Sequence, residues 1–210
     1  MVNLLITLEG IDGTGKTTVC DLLSKKFPYA VMTKEPQDKL LIEWYGHNSY
    51  MELYAYLLDH AIHVHDVIRP KINDNLIICD RYIDSRVAYQ SVKLDCSPND
   101  IYDMHFYNYT PRPSMTFVLV CDMDVLSERL RNRDGDLLEN TVFLTKVQNA
   151  YIQMTKDYPG RCVLIDVTDL TAQEVADAIE FKLATLFAGS LERIEDLYGY
   201  SITKIASAPS

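Results

Sequence analysis

The sequence predicts an α/β protein in three layers, a parallel sheet of about five strands flanked by helices. Three observations lead there. Five short apolar runs, at residues 4–8, 30–33, 76–79, 116–120 and 162–165, are continuous rather than alternating, as strands covered on both faces should be. Segments with apolar residues at helical spacing lie between them, which implies parallel strands joined by crossovers. Directly after the first strand stands Gly10-Ile11-Asp12-Gly13-Thr14-Gly15-Lys16-Thr17, a glycine-rich stretch opening a helix.

The elements follow in order. From residue 16 to 27, Val19, Leu22, Leu23 and Phe27 recur at helix spacing. Ser49 and Glu52 form a capping box that opens a long helix ending near Pro70. Its stripe Leu53, Leu57, Ala61, Val64 and Ile68 reads as core. A second stripe of the same period, Tyr56, His60, His63 and Val67, is polar and aromatic, and reads as facing a pocket or water. Ser97-Pro98 starts another helix, with proline at its first position. Helices are expected over 125–133 and 142–156, the latter stopped by Pro159-Gly160. Thr171 and Glu174 make a further capping box, and Gly189 suits a helix C-cap. There is no internal repeat and no low-complexity linker. One domain is expected over residues 1–189, with residues 190–210 an extension in which only 191–197 has helical spacing.

Composition narrows the function. The chain has 210 residues, 48% hydrophobic and 24% charged, close to the soluble globular average. No apolar run reaches the 18 or so residues that span a bilayer, and Met1-Val2-Asn3 does not look like a secretory signal. Twenty basic residues against thirty acidic give a net charge of −10. Such a surface does not suit duplex DNA or an anionic membrane, since non-specific binding rests on a summed positive field. A phosphorylated small molecule needs only a local cluster of donors. Five cysteines, Cys20, Cys79, Cys96, Cys121 and Cys162, are scattered without a C-x-x-C pair. They read as small buried hydrophobes in a reducing, cytoplasmic compartment.

The stretch from Gly10 to Thr17 fits G-x-x-x-x-G-K-[ST] in full. Its glycines let the backbone curl so that successive N–H groups point inward, and the helix N-terminus adds its positive end. Lys16 reaches the β- and γ-phosphates, and the Thr17 hydroxyl can ligate Mg²⁺. The third strand runs into Asp80-Arg81. An acid there can hold magnesium directly or through water, and the arginine can clamp a phosphate with paired hydrogen bonds.

Beyond Asp80 the chain reads Asp80-Arg81-Tyr82-Ile83-Asp84-Ser85-Arg86-Val87-Ala88-Tyr89-Gln90. It resembles the thymidylate kinases, whose members carry D-R-Y-x-x-S-x-x-A-Y-Q after this strand. The phosphate-loop stretch from Leu8 to Thr18, Thr33-Lys34-Glu35-Pro36, Val67-Ile68-Arg69-Pro70 and Glu128-Arg129-Leu130-Arg131-Asn132-Arg133 are similar too, in family order. The resemblance implies a P-loop kinase that moves the γ-phosphate of ATP, with Mg²⁺, to the 5′-phosphate of dTMP, and a homodimer. It implies that Gly10, Ile11, Asp12, Gly13, Thr14, Gly15, Lys16, Thr17 and Thr18 cradle ATP, with Arg133 over the adenine. Lys16, Arg81 and Arg131 would supply charge during transfer, and Asp12 would face the sugar 3′-hydroxyl and acceptor phosphate. Thr17 and Asp80 would hold the metal. The acceptor would lie among Lys34, Tyr56, His60, Arg81, Ser85, Tyr89 and Gln90. Gly13 is small and arginines are dense at 129, 131 and 133, so the helping arginines are expected in a lid over about 129–139. Arg86 is expected at the surface or in a salt bridge.

The sequence departs from the family pattern around the acceptor. The family's L-L-F-A-A-D-R stretch is Tyr54-Ala55-Tyr56-Leu57-Leu58-Asp59-His60 here. Tyr56 preserves a stacking ring, whereas His60 replaces a base-reading arginine with a shorter, near-neutral group. Lys34 replaces the arginine of T-R-E-P, Gln37 and Asp38 replace two glycines, and Gln148 stands where arginine is common. Another deoxynucleoside monophosphate as acceptor, a deoxynucleoside kinase and a nucleotide-dependent switch are the alternatives. Asp59, His60, His63, His65 and Asp66 do not share one helix face and are not read as a metal site.

Overall fold

The structure, a computed structural model, describes residues 4–45, 48–106, 110–131 and 141–187. Five parallel strands form one sheet in the order β2-β3-β1-β4-β5: β1 (Leu5–Gly10), β2 (Val31–Lys34), β3 (Ile77–Asp80), β4 (Met115–Val120) and β5 (Cys162–Asp166). All five apolar runs became strands. β1 and β4 are buried along their whole length, as continuous runs require. The outer strands are not: β2 is half-buried, and β5 alternates, with Leu164 43% exposed. Sheet edges have neighbours on one side only, so their second face is not fully covered.

Helices α1 (Lys16–Lys26) and α9 (Ala172–Phe187) pack together on one face. The other face carries α3 (Ser49–His63), α5 (Ile83–Leu94), α6 (Pro98–Phe106) and α8 (Thr141–Asp157), with α5 against all three of the others. α7 (Met123–Arg131) leans on α8. The main core joins Ile6, Leu8, Val19, Leu23, Phe117, Val118, Val147 and Ile179 across both layers.

Three helix boundaries differ from the sequence expectation. α3 is capped by Asn48, whose side chain accepts from the Tyr50 and Met51 amides at 3.0 and 3.2 Å. Glu52 is free of the expected capping box because its carboxylate is ion-paired with Lys93 on α5. The long helix also changes hand-hold before Pro70. Residues Val64–Ile68 form a π-helical turn, and Arg69 donates to the Val64 carbonyl before the short α4 (Arg69–Lys71). Proline lacks an N–H and its ring crowds the carbonyl four residues back, so a widened turn relieves both conflicts. A further helix, α2 (Lys39–Tyr45), is not among the expected elements; it has no buried residue, and Asp38 caps it by accepting from Leu40 and Leu41. The Thr171–Glu174 capping box forms as expected, with Thr171 N donating to Glu174 and Glu174 N to Thr171. Gly189 and residues 190–210 lie outside the described residues.

Candidate active site

The carboxyl ends of β1 and β3, adjacent in the sheet, place the phosphate loop beside Asp80 and Arg81. This is where ligands bind in open parallel sheets. The loop's shape depends on two glycines in particular. Gly10 has φ 138°, and a Cβ there would fall 2.3 Å from the Leu119 carbonyl oxygen of β4. Gly13 has φ 88°, and a Cβ would meet Leu126 and Leu130 of α7 at 2.8 and 3.0 Å. The loop therefore lies close against α7, and a side chain at position 13 would strain the backbone and push those leucines aside. Inside the loop, the Thr14 hydroxyl donates to the Ile11 carbonyl at 2.9 Å, and Lys16 Nζ donates to the same oxygen at 2.8 Å. Burial, reinforced by the nearby Arg81 charge, lowers the Lys16 ammonium pKa to about 7 against the pull of Asp12 and Asp80. Thr18 is exposed on the first turn of α1.

Arg81 ties this loop to α5. It sits at φ 69°, a left-handed conformation that a bulky residue adopts only when its surroundings enforce it. Here its amide donates to Leu8 O at 2.9 Å. Its guanidinium donates to Gly10 O at 3.0 Å, to Ser85 Oγ at 3.3 Å and to Asp12 Oδ1 at 2.5 Å, and lies over the Tyr89 ring at 5.3 Å. Beneath it, the fully buried Glu9 accepts from Tyr82 N at 2.8 Å, from Ser85 Oγ and from Tyr151 OH at 3.3 Å. Burial, and then the Asp84 charge, raise the Glu9 carboxyl to about 7.

The donor set for a divalent cation is present. Thr17 Oγ1 donates to Asp80 Oδ2 at 2.9 Å, while Asp80 Oδ1 is buried without a hydrogen-bond partner. A hard cation takes oxygen ligands of this kind, so the hydroxyl and the unsatisfied carboxylate oxygen fit Mg²⁺.

A pocket of ≈ 270 Å³ opens beside Arg81, lined by Asp12 of the loop and by Glu35, Pro36, Tyr56, Ser85, Arg86, Tyr89 and Gln90, with Glu52, Lys93 and Phe143 completing its wall. α3 contributes Tyr56, and α5 contributes Ser85, Arg86, Tyr89 and Gln90. Five of the predicted acceptor residues thus come together: Tyr56, Arg81, Ser85, Tyr89 and Gln90. Two do not line it. Lys34 is exposed at the end of β2. His60 is fully buried behind the wall, its Nδ1 2.9 Å from Glu35 Oε1 and 2.8 Å from Arg86 Nη2, and its Nε2 3.0 Å from Thr110 Oγ1. Both ring nitrogens are occupied, so the base-edge contact expected of His60 is not the arrangement found. The stripe Tyr56–His60–His63 faces the pocket only at Tyr56. His63 is buried with Nδ1 2.5 Å from Glu35 Oε1 and Nε2 2.8 Å from Thr33 Oγ1.

Sequence reasoning missed the residue that organises this wall. Arg86, expected at the surface or in a salt bridge, is salt-bridged but buried: its guanidinium pairs with Glu35 and meets His105 Nε2 through Nε at 3.3 Å. Burial acts upward on the Glu35 carboxyl, yet Arg86 and then His60 hold it well below the ordinary carboxylate range. His105 is pushed down to about 2 by burial and the Arg86 charge, so it faces Arg86 as a neutral acceptor. Asp59, also unassigned, accepts from the Gln37 and Asp38 amides and fixes the loop after Pro36. His65 is exposed and pairs with Asp66 at 2.6 Å. The Arg131 side chain, Arg133 and the rest of the expected lid to residue 139 lie outside the described residues. A second cavity, ≈ 520 Å³ around Asp84 and Arg161, holds none of the predicted residues.

Comparison with known proteins agrees with this geometry. A family model described as thymidylate kinase matches residues 8–179. A probable thymidylate kinase of Methanospirillum hungatei is 34% identical over 185 residues, covering 79% of this chain and 86% of the relative. One from Methanococcoides burtonii is 35% identical over 192 residues, covering 83% and 93%. Among solved structures, thymidylate kinase from Ehrlichia chaffeensis superposes with TM-score 0.66 at 28% identity over 84% of this chain and 98% of that one. The Candida albicans enzyme shares the fold, with TM-score 0.72 at 22% identity over 87% and 92%. With a complete phosphate loop beside a pocket across Arg81, and these relatives along nearly its whole described length, the chain belongs to the thymidylate kinase family of phosphotransferases.

Proposed function

We propose that this protein transfers the γ-phosphate of ATP to the 5′-phosphate of dTMP, giving dTDP and ADP. The observation that carries the reading is Arg81, whose guanidinium touches the phosphate loop at Gly10 and Asp12 and the acceptor pocket at Ser85 and Tyr89. A donor seated in the loop and an acceptor in the pocket then meet end to end at one cation. Phosphoryl transfer asks mainly for positioning and for positive charge around the moving oxygens. Lys16 exchanges the Ile11 carbonyl for phosphate oxygens, Arg81 neutralises the acceptor phosphate, and Tyr56 offers a ring on which the base stacks. Thr17 and Asp80 would hold Mg²⁺, which would supply charge neutralisation at the donor phosphates. Arg131 and Arg133 are assigned to the lid, Arg133 toward the adenine. Asp12 faces the acceptor sugar.

One kinase domain over residues 1–189 is supported by the family match to 8–179. A homodimer is supported by the outer face of α2 and α3, where Leu40, Trp44, Tyr50, Tyr54, Leu58 and Ile62 are each at least 49% exposed. An apolar patch of that kind marks an association surface, and the molecular mass in solution tests it. No helix among the described residues is long and apolar enough to cross a membrane; the ground for a reducing, cytoplasmic setting is the scattered cysteines, four of them buried as small hydrophobes.

The test is a panel of nucleoside monophosphates, with thymidine alongside, incubated with ATP and Mg²⁺ and scored for product. Diphosphate from dTMP, and none of the monophosphate from thymidine, is the expected result. Phosphorylation of thymidine alone would identify a nucleoside kinase. Hydrolysis of ATP without phosphorylation of any acceptor would identify a switch.

A further inference from the structure

We infer that Arg86, on α5, reads the 4-position of the pyrimidine base. The inference rests on the proposed dTMP kinase reading and names the residue that sets its base preference.

His60 is closed off from the base. It is fully buried, and both ring nitrogens already have partners. Burial lowers its pKa, with Glu35 opposing and Arg86 adding to the shift, so it supplies no positive charge to the base. Arg86, by contrast, lines the pocket while remaining only 3% exposed. Its Nε is directed to His105 and its Nη2 to Glu35 and His60. Glu35 is itself fixed by His60 and His63, so the guanidinium is clamped on its inner side. Nη1 has no hydrogen bond among the described residues, yet it is not a buried orphan. It is the guanidinium nitrogen of Arg86 without a protein partner among the described residues, in a pocket that Tyr56 also lines.

Chemistry selects the ligand. A guanidinium has donors and no acceptor. It matches the O4 carbonyl of thymine or uracil and leaves the N4 amino group of cytosine facing another donor. The buried anchorage keeps the charge from swinging away, and water has little access to compete for it. The His60, Glu35 and Arg86 arrangement is therefore one unit: a histidine too short to read the base supports an arginine that does. Restoring arginine at position 60 alone would place two guanidiniums side by side in a closed space, so His60→Arg is expected to lower stability and leave the base preference without gain.

The test compares kcat/KM for dTMP, dCMP and the dTMP analogue carrying sulfur in place of O4, a weaker acceptor that keeps the N3–H, in wild type and Arg86→Gln, with folding followed by thermal melting. Wild type should prefer dTMP to the analogue by about 10-fold, the low end of the range for one charge-assisted hydrogen bond, since sulfur weakens the bond rather than removing it. Arg86→Gln should bring that ratio below about threefold with KM for ATP unchanged. Should the single variant melt below the assay temperature, Glu35→Gln/Arg86→Gln removes both buried charges together and is read in the same way. A wild type indifferent to O4 overturns the inference without any variant, and so does a ratio that persists once Arg86 is gone. Those results leave dTMP phosphorylation standing. Failure of wild type to phosphorylate any pyrimidine monophosphate would instead sink the proposed reaction, and this inference with it.

Discussion

Lys16 Nζ lies 2.8 Å from the carbonyl oxygen of Ile11, so the lysine of the phosphate loop is folded back onto the loop that should present it. The ammonium is buried and its charge is weakened there. A polyanion in the loop offers it a far better partner, and the exchange costs one hydrogen bond to a neutral carbonyl. Lys16→Ala should lower kcat at least 100-fold, because a preorganised donor to the transferring group is worth about 3 kcal/mol. Steady-state assays with ATP at saturating acceptor check this. Near-normal turnover would remove Lys16 from the transfer step.

The same residue predicts a pH dependence. In the free protein the Lys16 pKa is about 7, so above neutrality the amine is largely uncharged. Bound triphosphate favours the ammonium and raises that pKa. Nucleotide binding at pH 8 should therefore take up a proton, and affinity should weaken as pH rises from 7 towards 9. Calorimetry in two buffers of different ionisation enthalpy measures the uptake. Lys16→Met should abolish that component, and equal uptake in the variant would assign the proton to the nucleotide.

A stability effect of opposite sign to most carboxylates is expected at Glu9. Its folded pKa, about 7, lies above the ordinary value of 4.5 because it is buried and faces the Asp84 charge. The folded state then binds the proton more tightly than the unfolded chain, and stability falls as pH rises between those values. By pH 8 the loss is on the order of 3 kcal/mol. Glu9→Gln keeps an acceptor for the Tyr82 amide without the charge. Its melting temperature should change less between pH 5 and pH 8 than that of wild type; parallel curves would exclude Glu9 as the titrating group.

What the sequence reveals and what it hides divide along physical lines. The five strands were legible because buried parallel strands need no partner to be recognised: their apolar runs are local. The phosphate loop was legible for the same reason, since Gly10, Lys16 and Thr17 act within one turn of chain. The grouping of residues around the pocket beside Arg81 was legible only through family likeness, and only in part. Helical period assigns Tyr56, His60 and His63 to one face but says nothing of depth along it, so the stripe begins at the pocket and ends in a closed charged cluster. Arg86 was misplaced for a similar reason. Its burial is made possible by Glu35, 51 positions away, a pairing that no local pattern encodes. α2 was missed because it is short and lacks a buried face, although Asp38 was there as its cap.

The cluster beneath β4 offers a last prediction. Asp84, nearly inaccessible, receives both Arg161 nitrogens, at 2.6 and 3.0 Å, and also accepts from the Tyr102 and Thr116 hydroxyls. Thr116 in turn faces Thr7 across the β1–β4 ladder at 2.8 Å. One carboxylate thus joins α5, α6, β4 and the start of β5. Removing the cation leaves a buried charge with only neutral donors, so Arg161→Met should destabilise the protein by about 3–5 kcal/mol. Asp84→Asn/Arg161→Met removes the uncompensated charge and retains the hydroxyl partners, so it should recover at least half of that loss. Denaturant unfolding of the two single variants and the double variant measures the coupling between them. Additive losses would mean that Arg161 contributes packing over Tyr158, whose ring it covers at 5.4 Å, rather than charge. Relieving the Asp84 charge should also lower the Glu9 pKa, since Asp84 is the largest charge raising it, and the pH dependence of stability should flatten in the double variant.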